Sequence, residues 1–279
     1  MANTPTYNVA VAWRIYPKVS KNPLLFKDDK FAMVENSLLS FINCSAGLKI
    51  YYYFILDGCP EEYTTLLHKL FNPADFTITE TNSIGNGNTF AAQIDILSKQ
   101  DKSDVVYFAE DDYLYVPGEF NKAVEFIKEE GVDFISCYMP LDVFRHPIHN
   151  HRRHTKYSQD KLWMSASSTC LTFMTTKKTL IETRKLLLTY QKGNRDTSMW
   201  LILTHTFIYN PFAYLRFITH KECFSIMKMA VKYSFIYFFT TRKYRLWMPY
   251  TAICTHLESG IESPGVDWIS ISKNVSGEK

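Results

Sequence analysis

The chain has 279 residues, is 46% hydrophobic and carries a formal net charge of +3. This length and apolar fraction allow a large buried core and exclude a disordered chain. Ten Gly and eleven Pro residues exclude collagen-like or low-complexity sequence. The small net charge does not favour a nucleic-acid-binding protein, so we expect no nucleic-acid partner.

The six cysteines are scattered and contain no CxxC pair, which indicates buried thiols rather than disulfides or a structural zinc site. The N-terminus lacks a charged start followed by an apolar stretch, so we expect no signal peptide. No run approaches the roughly 20 apolar residues that cross a membrane. We therefore expect a cytoplasmic protein, and contact with the inner face of the membrane stays open.

The first half of the chain alternates between strand and helix patterns. Apolar runs rich in β-branched and aromatic residues predict strands, and apolar residues at helical spacing predict helices. This β-α-β order predicts an α/β fold with a mostly parallel sheet and helices on both faces. The predicted strands are 7–15, 49–56, 76–80, 104–109 and 133–138, and the predicted helices are 28–42 (capped by Asp28 or Asp29), 60–71, 88–99 and 119–130.

The second half is less regular. It contains a basic, His-rich loop and then a strand-like segment and a clear helix. An irregular helical region rich in aromatic and basic residues follows, and we expect a disordered tail. These segments are 145–156, 164–174, 177–190, 207–250 and 274–279.

Three consecutive acids follow the apolar strand 104–109. In an open α/β sheet, ligands bind beyond the carboxyl ends of the strands, so Glu110, Asp111 and Asp112 are predicted to lie at a binding site. Clustered carboxylates are suitable ligands for Mg²⁺ or Mn²⁺. The alternative is a solvated acidic turn.

The order and spacing of several motifs resemble the nucleotide-sugar-dependent glycosyltransferases of the GT-A fold, near glycosyltransferase family 2 in its bacterial and viral branch. The resemblance covers most of the chain. Its motifs are 13–17 (WRIYP), 56–63 (LDGCPEEY), 85–90 (GNGNTF), 108–113 (FAEDDY), 117–118 (PG), 255–258 (THLE) and 263–268 (SPGVDW).

This resemblance implies a division of the chain. Residues 1–206 would form a GT-A (Rossmann-like) catalytic core, with a nucleotide-sugar half at 1–140 and an acceptor half at 141–206. The aromatic-basic helical segment 207–250 would contact a membrane or the acceptor. Residues 251–279 would supply part of the metal site and the tail.

The resemblance also implies a metal site. Glu110, Asp111 and Asp112 look like the acidic DxD motif, with Glu at the first place. Which acid holds the metal and which contacts the ribose stays open, and Asp112 is the first choice for the metal. His256 resembles the late histidine that completes the shell of Mn²⁺ or Mg²⁺ in several GT-A enzymes, although a lone His is more often a surface or core residue.

Four further residues match donor-binding positions of the family. Arg14, after the first strand, and Asp57, at the end of the second, lie where such folds hold the nucleotide base and ribose. Asn86 and Asn88 open a helix whose backbone N–H groups suit a donor phosphate or sugar. The alternative is an ordinary turn with Asn88 as the helix cap.

An inverting glycosyltransferase needs a base that takes the proton of the acceptor hydroxyl. Asp196 lies in a loop that resembles the base-carrying loop of family 2 enzymes, and its alternative is a helix N-cap. Trp200 is a candidate sugar platform. Trp163 and Ser165 are candidate sugar or acceptor contacts, and a plain polar strand is the alternative for both.

We therefore expect a metal-dependent glycosyltransferase that moves a sugar from a nucleoside-diphosphate sugar to a hydroxyl of a glycan or lipid-linked acceptor, as in polysaccharide biosynthesis. One alternative is a catalytically inactive nucleotide- or carbohydrate-binding protein. Another is a sugar nucleotidyltransferase, which the absence of glycine after the first strand disfavours.

Two further segments have open interpretations. The aromatic and basic residues of 207–250 are typical of a peripheral membrane segment, or of core packing with a basic rim. The loop 145–156 holds four histidines, and we expect it to contact acceptor or phosphate rather than zinc because three arginines flank them. These histidines are His146, His149, His151 and His154, and the arginines are Arg145, Arg152 and Arg153.

Overall fold

The computed structural model describes residues 7–19 and 22–276. Residues 1–6, on which the expectation about a signal peptide partly depends, lie outside the described residues. So do residues 277–279 of the expected disordered tail.

A nine-stranded sheet runs through the described chain, in the order β3-β2-β1-β4-β9-β6-β10-β8-β7. The first four of these strands are mutually parallel, and β9 then runs antiparallel to both β4 and β6. A separate two-stranded sheet pairs β5 with β11. The strands are β1 (Val9–Ile15), β2 (Ile50–Asp57), β3 (Phe76–Thr81), β4 (Val105–Glu110), β5 (Tyr113–Tyr115), β6 (Phe134–Ile135), β7 (Thr155–Ser158), β8 (Lys161–Ala166), β9 (Phe173–Thr176), β10 (Leu246–Pro249) and β11 (Cys254–His256).

Ten α-helices are present in the described chain, and the longer ones cover both faces of the sheet. The predicted α/β fold with helices on both faces is confirmed. The helices are α1 (Lys30–Cys44), α2 (Glu61–Leu70), α3 (Asn86–Lys99), α4 (Phe120–Phe126), α5 (Lys177–Leu187), α6 (Asp196–Thr204), α7 (Pro211–Phe217), α8 (Lys221–Ser234), α9 (Tyr237–Thr240) and α10 (Trp268–Ser276).

Strand β1 is buried on both faces of the sheet. Every residue of β1 is buried, and successive side chains belong to two different apolar clusters. Ala10 and Ala12 pack with α3, α5 and α6, whereas Val9, Val11 and Trp13 pack with α1, α2 and α4. This alternation follows from the two-residue period of a strand. Strand β1 therefore lies between the two apolar clusters, and its carboxyl end lies at the edge of the sheet where the parallel strands end.

Several predicted boundaries differ from the structure. The expected strand 164–174 is two strands, β8 and β9, because the residues between them cross the end of the sheet and hydrogen-bond to other segments: Thr169 Oγ1 donates to Ser136 Oγ at 2.7 Å. Helix α3 begins two residues earlier than expected, after Gly85 at φ +84°. At the C-terminus, α10 extends into the expected tail as far as Ser276.

The C-terminal part returns to the sheet. The segment expected to be helical, 207–250, holds α7, α8 and α9 but ends in β10, which lies between β6 and β8. Strand β11 then pairs with β5 so that His256 lies opposite Tyr113, the residue after the three acids. None of the described helices is long and apolar enough to cross a bilayer.

Candidate active site

A cavity of about 450 Å³ opens at the carboxyl ends of the parallel strands. The ends of β1, β2 and β4 and the starts of α1 and α3 surround it, as expected for an open α/β sheet. Most of the predicted donor and metal residues meet here. Its lining includes Arg14, Asp57, Asn86, Glu110, Asp111 and Asp112, together with Tyr16 and Lys30.

Glu110 is held by two neighbours. Its carboxylate forms an ion pair with Arg14, and its Oε2 accepts a hydrogen bond from Thr172 Oγ1 at 2.7 Å. The Arg14 guanidinium, which is 8% exposed, also donates to the side chain of Asn86 and, at 3.1 Å, to its backbone carbonyl. These contacts join β1, β4 and α3 at the mouth of the cavity.

Asp111 is buried in a second ion pair. Its Oδ1 lies 2.8 Å from Lys30 Nζ, and its Oδ2 accepts from the backbone N–H of Tyr16 at 2.7 Å. Burial raises the pKa of Asp111 and the Lys30 charge opposes that rise. For Lys30, burial would lower the pKa, but Asp111 and its acidic neighbours keep it raised. Both oxygens of Asp111 are thus used to fix the loop that leads into α1.

Asp112 faces His256 instead of a cation with fixed charge. Asp112 Oδ2 lies 3.3 Å from His256 Nε2, and Glu258 Oε2 lies 3.7 Å from His256 Nδ1. Burial alone would raise the pKa of Asp112, but His256 holds it below its usual range. Burial would lower the pKa of His256, yet Asp112 raises it to about 9.

Two buried atoms of this pair, Asp112 Oδ1 and His256 Nδ1, have no hydrogen-bond partner in the described chain. Unsatisfied buried polar atoms are rare because each costs about 1–3 kcal/mol. A carboxylate oxygen and an imidazole nitrogen are also suitable donors for a divalent cation. Asp112 and His256 therefore fit a divalent ion once His256 loses the proton that Asp112 stabilises, whereas Arg14 and Lys30, the partners of Glu110 and Asp111, keep their charge.

The loop before α3 is fixed by Asp57, which is 2% exposed. Asp57 Oδ1 accepts from Thr81 Oγ1 at 2.8 Å and from the Ile84 N–H at 2.7 Å, and Oδ2 accepts from the Gly85 N–H at 3.0 Å. The carboxylate borders the cavity while holding this loop.

The two asparagines join α3 to a turn in the second half. Asn86 Nδ2 donates to Tyr190 Oη at 3.1 Å, and Asn88 Oδ1 accepts from Gln191 Nε2 at 2.8 Å. Asn88 Nδ2 also donates to the Ile84 carbonyl at 2.7 Å. The alternative of Asn88 as the helix cap is wrong, because Gly85 occupies the N-cap position.

Asp196 is the first residue of α6, and the N-cap position belongs to Arg195. Asp196 Oδ1 accepts from the backbone N–H of Thr197 at 2.6 Å and from Thr197 Oγ1 at 3.3 Å, while Oδ2 makes no hydrogen bond to any described residue. Burial raises the pKa of Asp196, and the nearby charge of Glu110 adds to the rise. Asp196 is not among the residues that line the cavity, whereas Glu110, whose charge acts on it, is.

The two tryptophans are core residues. Trp163 and Trp200 are 0% exposed, and Trp200 packs edge-on against Phe134 and Phe173. Neither indole has a face open to a sugar, so the structure corrects the expectation of aromatic sugar contacts at these positions. Ser165 accepts from the His154 N–H at 2.9 Å and borders a different cavity, of about 560 Å³.

The sequence interpretation missed Lys30, Thr172 and the Tyr16 N–H. Lys30 follows the capping residue Asp29, a position at which a lysine usually faces solvent. Its role is seen only from its ion pair with Asp111, which is distant in the sequence. Thr172 lies within a run of hydroxyl residues that gives no sign of which one faces Glu110. Nothing local in the sequence distinguishes these residues.

No protein-family model and no curated protein matches the sequence. Among solved structures, the galactosyltransferase LgtC in complex with donor and acceptor sugar analogs matches with a TM-score of 0.50 and 9% identity, over 96% of this chain and 95% of that chain. TarS 1–349 from S. aureus matches with a TM-score of 0.46 and 13% identity, over 81% of this chain and 72% of that one.

The mannosyltransferase PcManGT from Pyrobaculum calidifontis, in complex with GDP-Man and Mn²⁺, matches with a TM-score of 0.36 and 14% identity. The match covers 48% of this chain and only 36% of that enzyme's chain. At such identities a likeness establishes the fold alone, and the LgtC match extends over nearly all of both chains at a TM-score of 0.50. The chain therefore has the GT-A fold that its motifs predicted.

Proposed function

We propose that this protein is a metal-dependent glycosyltransferase that transfers a sugar from a nucleoside-diphosphate sugar to a hydroxyl of a glycan or lipid-linked acceptor. The proposal rests on the Asp112–His256 pair, which has two unpartnered buried atoms, and on the cavity at the carboxyl ends of β1, β2 and β4, which Asp112 lines. The LgtC structure, with its donor and acceptor sugar analogs, has the same fold and supports this class of reaction.

The donor diphosphate would bind in the cavity beside the N-terminus of α3. Gly85, Asn86 and Thr89 line the cavity, and the unpaired N–H groups of a helix N-terminus favour an anion. Arg14 and Asp57, which border the same cavity, would orient the base and ribose. Because Arg14 is already paired with Glu110, a bound nucleotide would share that guanidinium with Glu110.

Asp112 and His256 would hold Mn²⁺ or Mg²⁺. When bound, such an ion neutralises the charge that develops on the departing nucleoside diphosphate. Binding requires His256 to lose its proton, so the ion and the proton compete for this side chain. Glu258, 3.7 Å from His256 Nδ1, adds negative charge that favours a cation.

Asp196 would act as the base. Its unbonded Oδ2 can accept the proton of the acceptor hydroxyl as that oxygen attacks the sugar, and a raised pKa makes the carboxylate a better proton acceptor. Inversion at the anomeric carbon follows from this single-displacement role and from the resemblance of the 195–200 segment to family 2 enzymes. The placement in family 2 rests on the sequence motifs.

Helices α7–α9 would contact the inner face of a membrane and bring the enzyme to a lipid-linked acceptor. On α8, exposed Phe224, Lys228 and Val231 recur at helical spacing, and exposed Phe235 follows at the C-cap. Phe212 and Phe239 are 76% and 77% exposed. Exposed aromatic side chains with interspersed lysines complement an anionic lipid surface.

The test measures the thermal midpoint with UDP, GDP, CDP and dTDP, each with and without Mn²⁺. A ligand that binds only the folded state raises the midpoint. We expect one nucleotide to raise it in a metal-dependent way and the matching nucleotide-sugar to release that nucleotide. Asp112→Ala should abolish the metal-dependent shift, whereas Asp101→Ala, at a side chain that is 88% exposed, should leave it unchanged.

A flat panel with all nucleotides and their sugars would overturn the proposal. A metal-dependent shift without nucleotide release from any donor sugar, with or without an acceptor mixture, would favour the catalytically inactive binding protein instead.

A further inference from the structure

Three potential metal ligands meet away from the cavity of the proposed active site. His146 lies in the His-rich loop, and His220 and Cys223 lie at the start of α8. One ligand atom of each lies within 4.8 Å of the others, the only such His, Cys, Asp or Glu cluster found in residues 7–19 and 22–276. Residues more than 70 positions apart in the sequence are thus brought to one point.

A fourth ligand stands beside this cluster. Glu222 Oε2 lies 3.3 Å from His146 Nε2, which matches the separation of about 3.3 Å between two light-atom ligands of a tetrahedral zinc ion. His146 and His220 stack edge to face with ring centroids 5.5 Å apart. Glu222 is exposed and would join the other three ligands by a rotation of its side chain.

The side chains of this cluster favour Zn²⁺ over Mn²⁺ or Mg²⁺, the ions proposed to bind at Asp112. Imidazole, thiolate and carboxylate are all ligand types that Zn²⁺ accepts in a tetrahedral site, and a thiolate disfavours Mn²⁺ and Mg²⁺. Cys223 is the third residue of α8 and so lies in the first turn, at the positive end of the helix dipole. The charges also balance, because Cys223 and Glu222 together neutralise a divalent ion.

The arginines of the loop do not prevent this arrangement. Arg153 Nη2 donates to the backbone carbonyls of Val143 at 2.5 Å and His149 at 3.3 Å, so its charge is directed into the loop. Arg145 and Arg152 are exposed to solvent. Two other loop histidines have hydrogen-bond partners elsewhere: His149 Nδ1 lies 3.1 Å from Ser167 Oγ, and His151 Nδ1 lies 3.1 Å from the Arg152 carbonyl oxygen.

We propose that His146, His220, Cys223 and Glu222 form a structural zinc site that fastens the 145–154 loop to helix α8. The loop supplies His151, Arg152 and His154 to the wall of the 560 Å³ cavity. Zinc would therefore hold that wall in place. This inference is independent of the proposed glycosyltransferase activity.

The test uses Zn²⁺ and Co²⁺ as probes on the full chain. We expect about one zinc per chain after removal of loosely bound metal, and a thiolate-to-cobalt charge-transfer band when Co²⁺ replaces it. Cys223→Ser should eliminate the band. His146→Asn and His220→Asn, which keep a side-chain acceptor for the local backbone N–H, should each weaken zinc binding at least about tenfold.

Matched controls test whether the effect belongs to this cluster. His154→Asn changes an exposed histidine of the same loop, and Cys44→Ser changes a buried cysteine elsewhere, and both should keep full zinc content. Asp112→Ala should also keep the cobalt band, which separates this site from the proposed active-site metal. Zinc should slow proteolysis at Arg145 and Arg152 in the wild type and not in His146→Asn.

Two results would overturn the proposal. One is a wild-type protein that shows no thiolate band at stoichiometric Co²⁺. The other is a band that survives Cys223→Ser or, if that variant does not fold, is unchanged in His146→Asn.

Discussion

Two regions of the molecule depart from the usual burial of side chains. Charged side chains are buried at the carboxyl ends of β1 and β4, whereas aromatic side chains are exposed on helices α7–α9. Arg14, near the end of β1, and Lys30, which pairs with Asp111 after β4, are only 8% and 7% exposed. On the helices, Phe212 and Phe239 are more than three-quarters exposed. Buried charge and exposed aromatic surface both lower the stability of an isolated fold. This chain therefore departs from the usual burial preferences at the two places where we propose that it binds its donor and a membrane.

The largest expected effect concerns the buried, charged region. Asp196→Asn removes the proposed base but keeps the shape of the side chain, so nucleotide-dependent sugar transfer should fall by about 10²–10⁴-fold. Nucleotide binding, measured by the thermal shift, should be unchanged. Asp160→Asn, on the exposed turn between β7 and β8, is the matched control and should retain full activity.

The pH dependence of kcat/KM should report the ionisation of Asp196. The base must be unprotonated, so activity should fall as the pH drops through the pKa of Asp196. Burial raises that pKa, so the acid limb of kcat/KM should lie above the ordinary aspartate value of about 3.9. An acid limb at or below the ordinary value would contradict the role of Asp196.

The buried ion pair between Lys30 and Asp111 should contribute to the stability of the fold. Lys30→Met leaves the buried carboxylate of Asp111 without its cation, which should lower the free energy of unfolding by about 3–5 kcal/mol. Lys128→Met breaks the exposed pair with Glu125 and should change it by less than about 1 kcal/mol. Urea denaturation measures both, and equal losses would show that burial does not distinguish the two pairs.

A smaller effect is expected at the loop that Asp57 holds. Gly85 has φ +84° and ψ 168°, a conformation essentially restricted to glycine, and an added Cβ would contact nothing within 4 Å. Gly85→Ala should therefore lower the unfolding free energy by about 1–3 kcal/mol through backbone strain alone. Gly47→Ala is the matched control, at another glycine with positive φ that does not line the cavity. It should lower the unfolding free energy but leave the nucleotide-induced thermal shift unchanged.

The smallest effect is expected on the exposed aromatic surface. Replacing both Phe212 and Phe239 with Ser should weaken sedimentation with anionic lipid vesicles by about tenfold, because two side chains that insert apolar area are lost. Stability should hardly change, since both side chains are already in water. Tyr157→Ser, at a residue 70% exposed on β7, is the control. Unchanged vesicle binding in the double variant would remove the membrane interpretation.

Local sequence patterns predicted much of the N-terminal half. Asp29 caps α1 by accepting from the Ala32 N–H at 2.9 Å, as its place before an apolar helical pattern indicated. The run of acids after β4 likewise predicted a site at the strand ends. The second half was harder, because β8 and β9 both lie within one Ser- and Thr-rich run and only tertiary hydrogen bonds separate them.

Trp200 shows where residue type misleads. A tryptophan near a candidate base suggests a sugar platform, but its indole is fully enclosed by Phe134 and Phe173. Aromatic rings serve cores and ligands equally well, so composition cannot separate the two roles.

The α/β alternation, the GT-A resemblance and the acids at the end of the fourth strand follow from residues that are neighbours along the chain, so they could be predicted from sequence patterns. The differences between those acids come from the fold: Glu110 pairs with Arg14, Asp111 pairs with Lys30, and Asp112 faces His256. The fold also brings His146 together with His220 and Cys223. The physical reason is that ion pairing and metal ligation depend on distances of a few ångströms between segments far apart in the chain, which local periodicity does not encode.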